Sequence, residues 1–246
     1  MRTLGIDLAA EPKGTAATVI EWSGRGAKVV TVEVGVTDRR IVDLAAGADK
    51  VGIDCALGWP TDFVSFLNNQ SSLGPVVDVV GGLDWRRKLA YRETDRYVRS
   101  ITGRWPLSVA TDRLGMTALR CSGLLARLQE SGVEIDRSGS GLVVEVYPGA
   151  TLRIWGLVRQ GYRASSALRM ACLDELQEQA PWLNFEDFRQ LLASSCDAFD
   201  SLFAALATRA AALGHYQKPT ENLLEVAKAE GWIALPARGL DQLLSQ

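Results

Sequence analysis

The 246-residue chain carries 27 Lys+Arg against 29 Asp+Glu, one His and four Cys, and 47% of it is hydrophobic. That balance fits a folded α/β chain with an ample core, and it excludes wholesale disorder and a broadly basic nucleic-acid wrapper. A single histidine excludes any metal cluster or triad built on two imidazoles, which leaves chemistry to the carboxylates.

The N-terminal stretch reads as strands. Thr3 to Ala9 is a short apolar run interrupted by Asp7, Pro12-Lys13-Gly14 supplies a turn, and Thr15 to Trp22 is rich in Thr, Val and Ile. After the turn Ser23-Gly24-Arg25-Gly26, Val30, Val32, Val34 and Val36 alternate with Thr31, Glu33 and Gly35, the period of a half-buried strand. Three strands on short turns predict an antiparallel meander. Asp38 to Ala46 predicts a short helix with Asp38 as its N-cap, and Lys50 to Leu57 a fourth strand that holds one acid, Asp54. The intervening helix predicts a crossover and a parallel pairing.

Further on, loops are expected around Pro75 to Val80 and one charged helix over Trp85 to Thr102. A helix over Thr111 to Ser131, capped by Thr111 or Asp112, precedes a fifth strand, Leu142 to Tyr147, that holds Glu145. After Pro148 the pattern is mostly helical: Ala150 to Trp155, Ser165 to Gln179, Phe185 to Ala193 and Asp197 to Leu213, with Gly231 to Pro236 as a last extended piece. The organisation expected is one α/β domain over residues 1–246, a mixed five-stranded sheet flanked by helices, with a helical insertion at about 61–140 between strands four and five. The four cysteines lack any C-x-x-C pairing and read as free thiols. No apolar run is long enough to span a membrane, and Asp7 stands where a signal peptide would carry its apolar run. A soluble cytoplasmic protein is therefore expected.

Asp7, Asp54 and Glu145 each lie inside an apolar strand, where a carboxylate is costly unless paired or bound to metal. Singly, each could be a strand-end or solvent-facing acid. Together they suggest a site, because parallel sheets gather functional groups at the carboxyl ends of their strands. Asp197 and Asp200, three residues apart on a helix, add two carboxylates to one face, although Asp197 could equally serve as the helix cap. Clustered carboxylates without histidine suit Mg²⁺ or Mn²⁺, and a pair of such ions can drive phosphodiester cleavage.

The same elements resemble a known family. Gly5-Ile6-Asp7-Leu8-Ala9-Ala10-Glu11-Pro12-Lys13-Gly14-Thr15, Gly52-Ile53-Asp54, Val144-Glu145-Val146-Tyr147-Pro148 and Cys196-Asp197-Ala198-Phe199-Asp200-Ser201-Leu202 look like domain-of-unknown-function 429 (DUF429), over about residues 2–236. That family is described as predicted nucleases of ribonuclease H-like fold. By position, the resemblance implies a metal set of Asp7, Asp54, Asp197 and Asp200, with Glu145 as a family motif outside the four-acid scheme and a fifth candidate catalytic acid. Mg²⁺ or Mn²⁺ as cofactor and a nucleic acid or nucleotide as substrate follow from it.

Arg92, Arg96 and Arg99 recur at helical spacing and, with Lys13 of the first motif, form the candidate phosphate-binding set. The alternative is a solvated helix face in which Asp95 pairs with Arg92 or Arg99. Tyr91 and Tyr97, interleaved among them, could stack on bases or belong to the core. The expected function is thus metal-dependent hydrolysis of nucleic-acid phosphodiester bonds. An actin-like ATP-dependent phosphotransferase and a non-catalytic nucleic-acid or nucleotide binder of the same fold stay open beside it.

Overall fold

The computed structural model describes residues 1–71 and 82–244, so the loops expected around Pro75 to Val80 lie outside the described residues. The chain runs β1 (Arg2–Asp7), β2 (Ala16–Ser23), β3 (Gly26–Val34), α1 (Asp38–Ala45), β4 (Lys50–Asp54), α2 (Thr61–Ser71), α3 (Gly82–Ala90), α4 (Glu93–Thr102) and α5 (Gly115–Glu130). It continues through β5 (Val143–Glu145), α6 (Pro148–Ile154), α7 (Ser166–Gln179), β6 (Leu183–Asn184), α8 (Arg189–Ser194), α9 (Cys196–Ala212) and α10 (Leu224–Glu230). No described helix is long and apolar enough to cross a membrane.

The strands make one mixed sheet in the order β5-β4-β1-β2-β3-β6. β1, β2 and β3 form the antiparallel meander, β4 lies parallel to β1, and β5 lies parallel to β4. Six strands are present among the described residues where five are expected. The additional one, β6, pairs parallel with β3 through only two residues, too short to show an alternating pattern. Helices α2 to α5 all fall between β4 and β5.

Three local expectations change for identifiable reasons. Thr37, not Asp38, caps α1 by accepting the Arg40 N–H, and Asp38 pairs instead with Arg120. The single charged helix is two, α3 and α4, parted where Arg92 takes extended backbone (φ −71°, ψ 165°) and becomes the N-cap of α4. The helix expected from Phe185 begins as a 3-10 turn and becomes α-helical only at Arg189.

Both sheet faces are covered. On one, Leu4 and Ile6 of β1 and Val51 and Ile53 of β4 pack with Ile41 of α1 and Leu124 and Leu128 of α5. Because side chains alternate, Gly5 and Asp7 of β1, and Gly52 and Asp54 of β4, point to the opposite face. There α9 crosses β1, β2 and β4. It is buried on all sides from Ala198 to Ala211. Gly5 and Gly52 are register partners. A Cβ on Gly5 would overlap the backbone nitrogen of Ala205, and one on Gly52 would overlap the Thr208 hydroxyl. The helix backbone therefore rests on the strands themselves, and Ser201 Oγ lies 2.6 Å from Thr18 Oγ1 of β2.

Adding a methyl at either glycine must displace α9. Gly5→Ala and Gly52→Ala are each expected to destabilise the fold by about 1–3 kcal/mol or more, as overpacked cores do. Gly123→Ala, an exposed site in α5 with open space around its Cβ, is expected to stabilise it by about 0.5–1 kcal/mol. Urea unfolding midpoints of the three variants check the contrast.

Candidate functional site

Asp7 and Asp54 end neighbouring parallel strands as register partners, two residues beyond the glycines that admit α9. The same contact that seats α9 on Gly5 at Ser201 and Ala205 places Asp200, the preceding residue, beside them. Ser195 caps α9 by accepting the Ala198 N–H, so Asp197 is not the cap and its carboxylate stays available to the cleft. Asp7, Asp54, Asp197 and Asp200 all line one cavity of about 340 Å³, which Tyr147, Arg163 and Cys196 share.

Glu145 also borders this cavity but serves another partner. Its register partner in β4 is Ile53, which belongs to the face away from α9, so Glu145 turns that way too. There Arg92 donates from Nη1 and Nη2 to the two Glu145 oxygens, each at 2.7 Å. Arg92 also donates to Asp95, from Nη2 at 2.9 Å and from Nε at 3.2 Å, while the Leu57 N–H donates to Glu145 at 3.1 Å. The triad is sealed: the side chains of Arg92, Asp95 and Glu145 are 2%, 0% and 4% exposed. Gly231 (φ +90°) passes close against it, and a Cβ there would meet Glu145 Oε2 at 2.9 Å.

The expected arginine face does not form, because Arg92 is consumed inside the fold. Arg96 donates to Glu93 and to the Arg87 and Lys88 carbonyls, and Arg99 lies over the Trp105 ring. Lys13 sits on the surface in an exposed pair with Glu11 at 3.1 Å. Arg96, Arg99 and Lys13 do not line the carboxylate cavity. Tyr91 stacks on Trp105 and Tyr97 packs on Trp232, so both rings are engaged within the chain.

The first motif has a positional task instead. Thr15 is fully buried, and its hydroxyl accepts from the Ala9 N–H and from Arg120 and donates to the Glu11 carbonyl. Arg120 of α5 further donates to the carbonyls of Ala9 and Val36. The loop that leaves Asp7 is thereby tied down at both ends.

Two residues that sequence reasoning missed complete the cleft. Tyr162 donates its hydroxyl to Asp200 Oδ1 at 3.0 Å, and Arg163 approaches Asp200 Oδ2 at 3.6 Å. Both lie in an irregular segment between α6 and α7, whose local signals are the turn glycines Gly156 and Gly161.

Electrostatically the cleft is under-neutralised. Burial, then the charges of Asp54, Asp200 and Asp197, push the Asp7 carboxyl well above its usual range. Burial and Asp200 do the same to Asp54, and burial raises Asp197. Asp200 is pushed by burial to about 6, although Arg163 and the Tyr162 hydroxyl pull the other way. An all-oxygen donor set of this kind matches what hard divalent cations take. As the side chains stand, no three His, Cys, Asp or Glu groups among the described residues are already gathered to hold a metal ion.

A family model described as "Protein of unknown function (DUF429)" matches residues 5–223, and the chain belongs to that family. No curated protein and no solved structure gives a significant match.

Two consequences are measurable. Arg92→Ala strands two buried carboxylates and is expected to cost about 3–5 kcal/mol of stability, read from denaturant unfolding. The cleft acids act in the opposite sense. Because their folded pKa values are raised, the folded chain keeps protons that the unfolded chain releases, so stability falls as pH rises from about 4 through 6 and beyond. Asp7→Asn should therefore raise the metal-free unfolding midpoint increasingly between pH 4 and pH 8 and leave it unchanged at the acid end.

Proposed function

We propose that the four-carboxylate cleft binds Mg²⁺ or Mn²⁺ and that this member of the DUF429 family hydrolyses phosphodiester bonds in a nucleic acid or nucleotide. The observation that carries the reading is the convergence of Asp7, Asp54, Asp197 and Asp200 on one cavity, with all four carboxyls raised above their ordinary range. Ionising all four without a counter-cation is unfavourable, and Arg163, more than half exposed, is the cavity cation nearest to them. The reading requires the carboxylates to be drawn together by the ion, since no three of them form a ready chelate.

A ribonuclease H-like arrangement is the fold reading that fits best. Its supports are the antiparallel meander, β4 parallel to β1, and acids at the ends of β1 and β4 and on the long helix α9. Asp7, Asp54, Asp197 and Asp200 would hold the cation. When bound, such an ion lowers the pKa of water and offsets charge on the leaving oxygen.

The chain's own groups have separate tasks. Tyr162 holds Asp200 by its hydroxyl and so fixes one carboxylate oxygen. Arg163 offers a guanidinium beside the acids, suited to a phosphate oxygen by charge and by its paired N–H groups. Glu145 acts through Arg92, holding the cavity wall rather than a substrate.

Calorimetric titration with Mn²⁺ tests the site, and cleavage of labelled DNA and RNA tests the reaction. Binding is expected to be at least about tenfold tighter at pH 8 than at pH 6, with proton release, because the carboxylates must ionise to ligate. Asp7→Asn should lose cleavage while keeping its fold. Equal cleavage by that variant, or the absence of Mn²⁺ binding, would sink the proposal.

A further inference from the structure

Beside the carboxylate cleft lies a second cavity of about 560 Å³, and Tyr147 and Arg163 line both. Arg104, Arg153 and Arg159 join Arg163 on its walls, and none of its lining residues is an acid. The four arginines come from three places: Arg104 from the loop after α4, Arg153 from the last turn of α6, and Arg159 and Arg163 from the segment that follows α6. Arg159 pairs with Glu175 at 2.8 Å, yet its Nε is buried without a hydrogen-bond partner. Arg104 and Arg153 form no ion pair among the described residues.

Tyr147 marks the boundary between the two cavities. Burial and the charge of Asp54 raise its phenol, while Arg163, Arg153 and Arg104 act on it in the opposite direction. Glu175 answers Arg159 and Asp200 approaches Arg163, but Arg104 and Arg153 line the same concavity with no acid in its lining, and that arrangement is unfavourable unless something anionic offsets it. Its volume falls in the range of roughly 300–1,000 Å³ that small-ligand pockets occupy. Guanidinium groups are the side chains best matched to phosphate oxygens, through two parallel N–H donors each.

We propose that the cavity lined by Arg104, Arg153, Arg159 and Arg163 is a phosphate subsite, which takes a phosphate ester of the substrate next to the bond held at the carboxylates. The assignment of that ester to the hydrolysed substrate rests on the phosphodiesterase reading. The anion site itself rests on the arginines alone. A terminal phosphate of a nucleotide and a backbone phosphate of a strand share this chemistry.

The test uses the full chain carrying Asp7→Asn, in chelator and without metal, so that neither cleavage nor a bound cation contributes. Binding of thymidine 5′-monophosphate and of a short single-stranded oligothymidylate is measured across a salt series. Adding Arg153→Gln or Arg104→Gln is expected to weaken binding about tenfold or more. Each lost contact should lower the slope of log affinity against log salt by about 0.7 for the oligomer. Arg153→Lys should retain that slope.

Loss on the oligomer alone identifies a strand subsite, and loss on both probes identifies a site that a free nucleotide can fill; either outcome supports the anion site. A folded Arg104→Gln/Arg153→Gln variant that binds both probes as tightly as its parent overturns it. Mn²⁺ binding and cleavage by the otherwise unaltered chain are read separately. If those fail while arginine-dependent binding persists, the carboxylate reading falls and the phosphate subsite stands.

Discussion

The structure depends on how closely α9 approaches β1 and β4. Gly5 and Gly52 face each other in register, and each lacks the side chain that would hold the helix away. An α-helix normally packs on a sheet through side chains. Here Ala205 and Ser201 present backbone to β1, and Thr208 fills the space over Gly52. That contact sets both the height of α9 and its position along the strands. Asp7 and Asp54 lie two residues past the glycines on the same pleat face, so they meet the end of α9 that carries Asp197 and Asp200. The Gly-Ile-Asp repeats at 5–7 and 52–54 are thus one device: the glycine admits the helix and the aspartate meets what the helix brings.

A second buried arrangement holds the wall of the cleft. Arg92 ties Asp95 of α4 to Glu145 of β5, and its Nη1 also donates to the Glu230 carbonyl at 3.2 Å. The Glu230 carboxylate then accepts from the Thr61 N–H at 2.8 Å and the Glu93 N–H at 2.9 Å, the first residues of α2 and α4. One buried acid so satisfies orphan donors at two helix N-termini, where the helix dipoles favour its charge. Buried ion pairs gain little net stability over apolar packing, but they penalise any arrangement that leaves a partner alone. Here that penalty fixes α4 against β5, the strand beside the cleft.

Asp7 and Asp54 were legible because an aspartate inside an apolar strand conflicts with local preference, whereas Asp197 and Asp200 showed only as a pair at helical spacing, and the family resemblance was what joined the four. The sequence also showed the meander and the crossover, whose signals are local periodicity. What it hid were facts of register and partnership. Glu145 looked equivalent to Asp7 and Asp54, yet its alignment with Ile53 turns it to the other face, and register between distant strands is not written in either one. Arg92 shared a helical spacing with Arg96 and Arg99, but pairing with Glu145, fifty-three residues on, removes it from the helix. Arg163 and Tyr162 lie in a segment without periodicity, so nothing local placed them beside Asp200.

A net charge of −2 conceals a separation of charge. Acids collect where α9 meets the strand ends, and arginines collect beyond Tyr147, with Arg163 between the two groups. Either cluster alone would be electrostatically expensive. Placed together, each lowers part of the other's cost: Arg163 and Asp200 pull each other toward their charged forms. The compensation is incomplete, since Asp7, Asp54 and Asp200 all remain above the usual carboxylate range. The residual imbalance has a definite chemical sense, because a cation among the acids and an anion among the arginines would each reduce it.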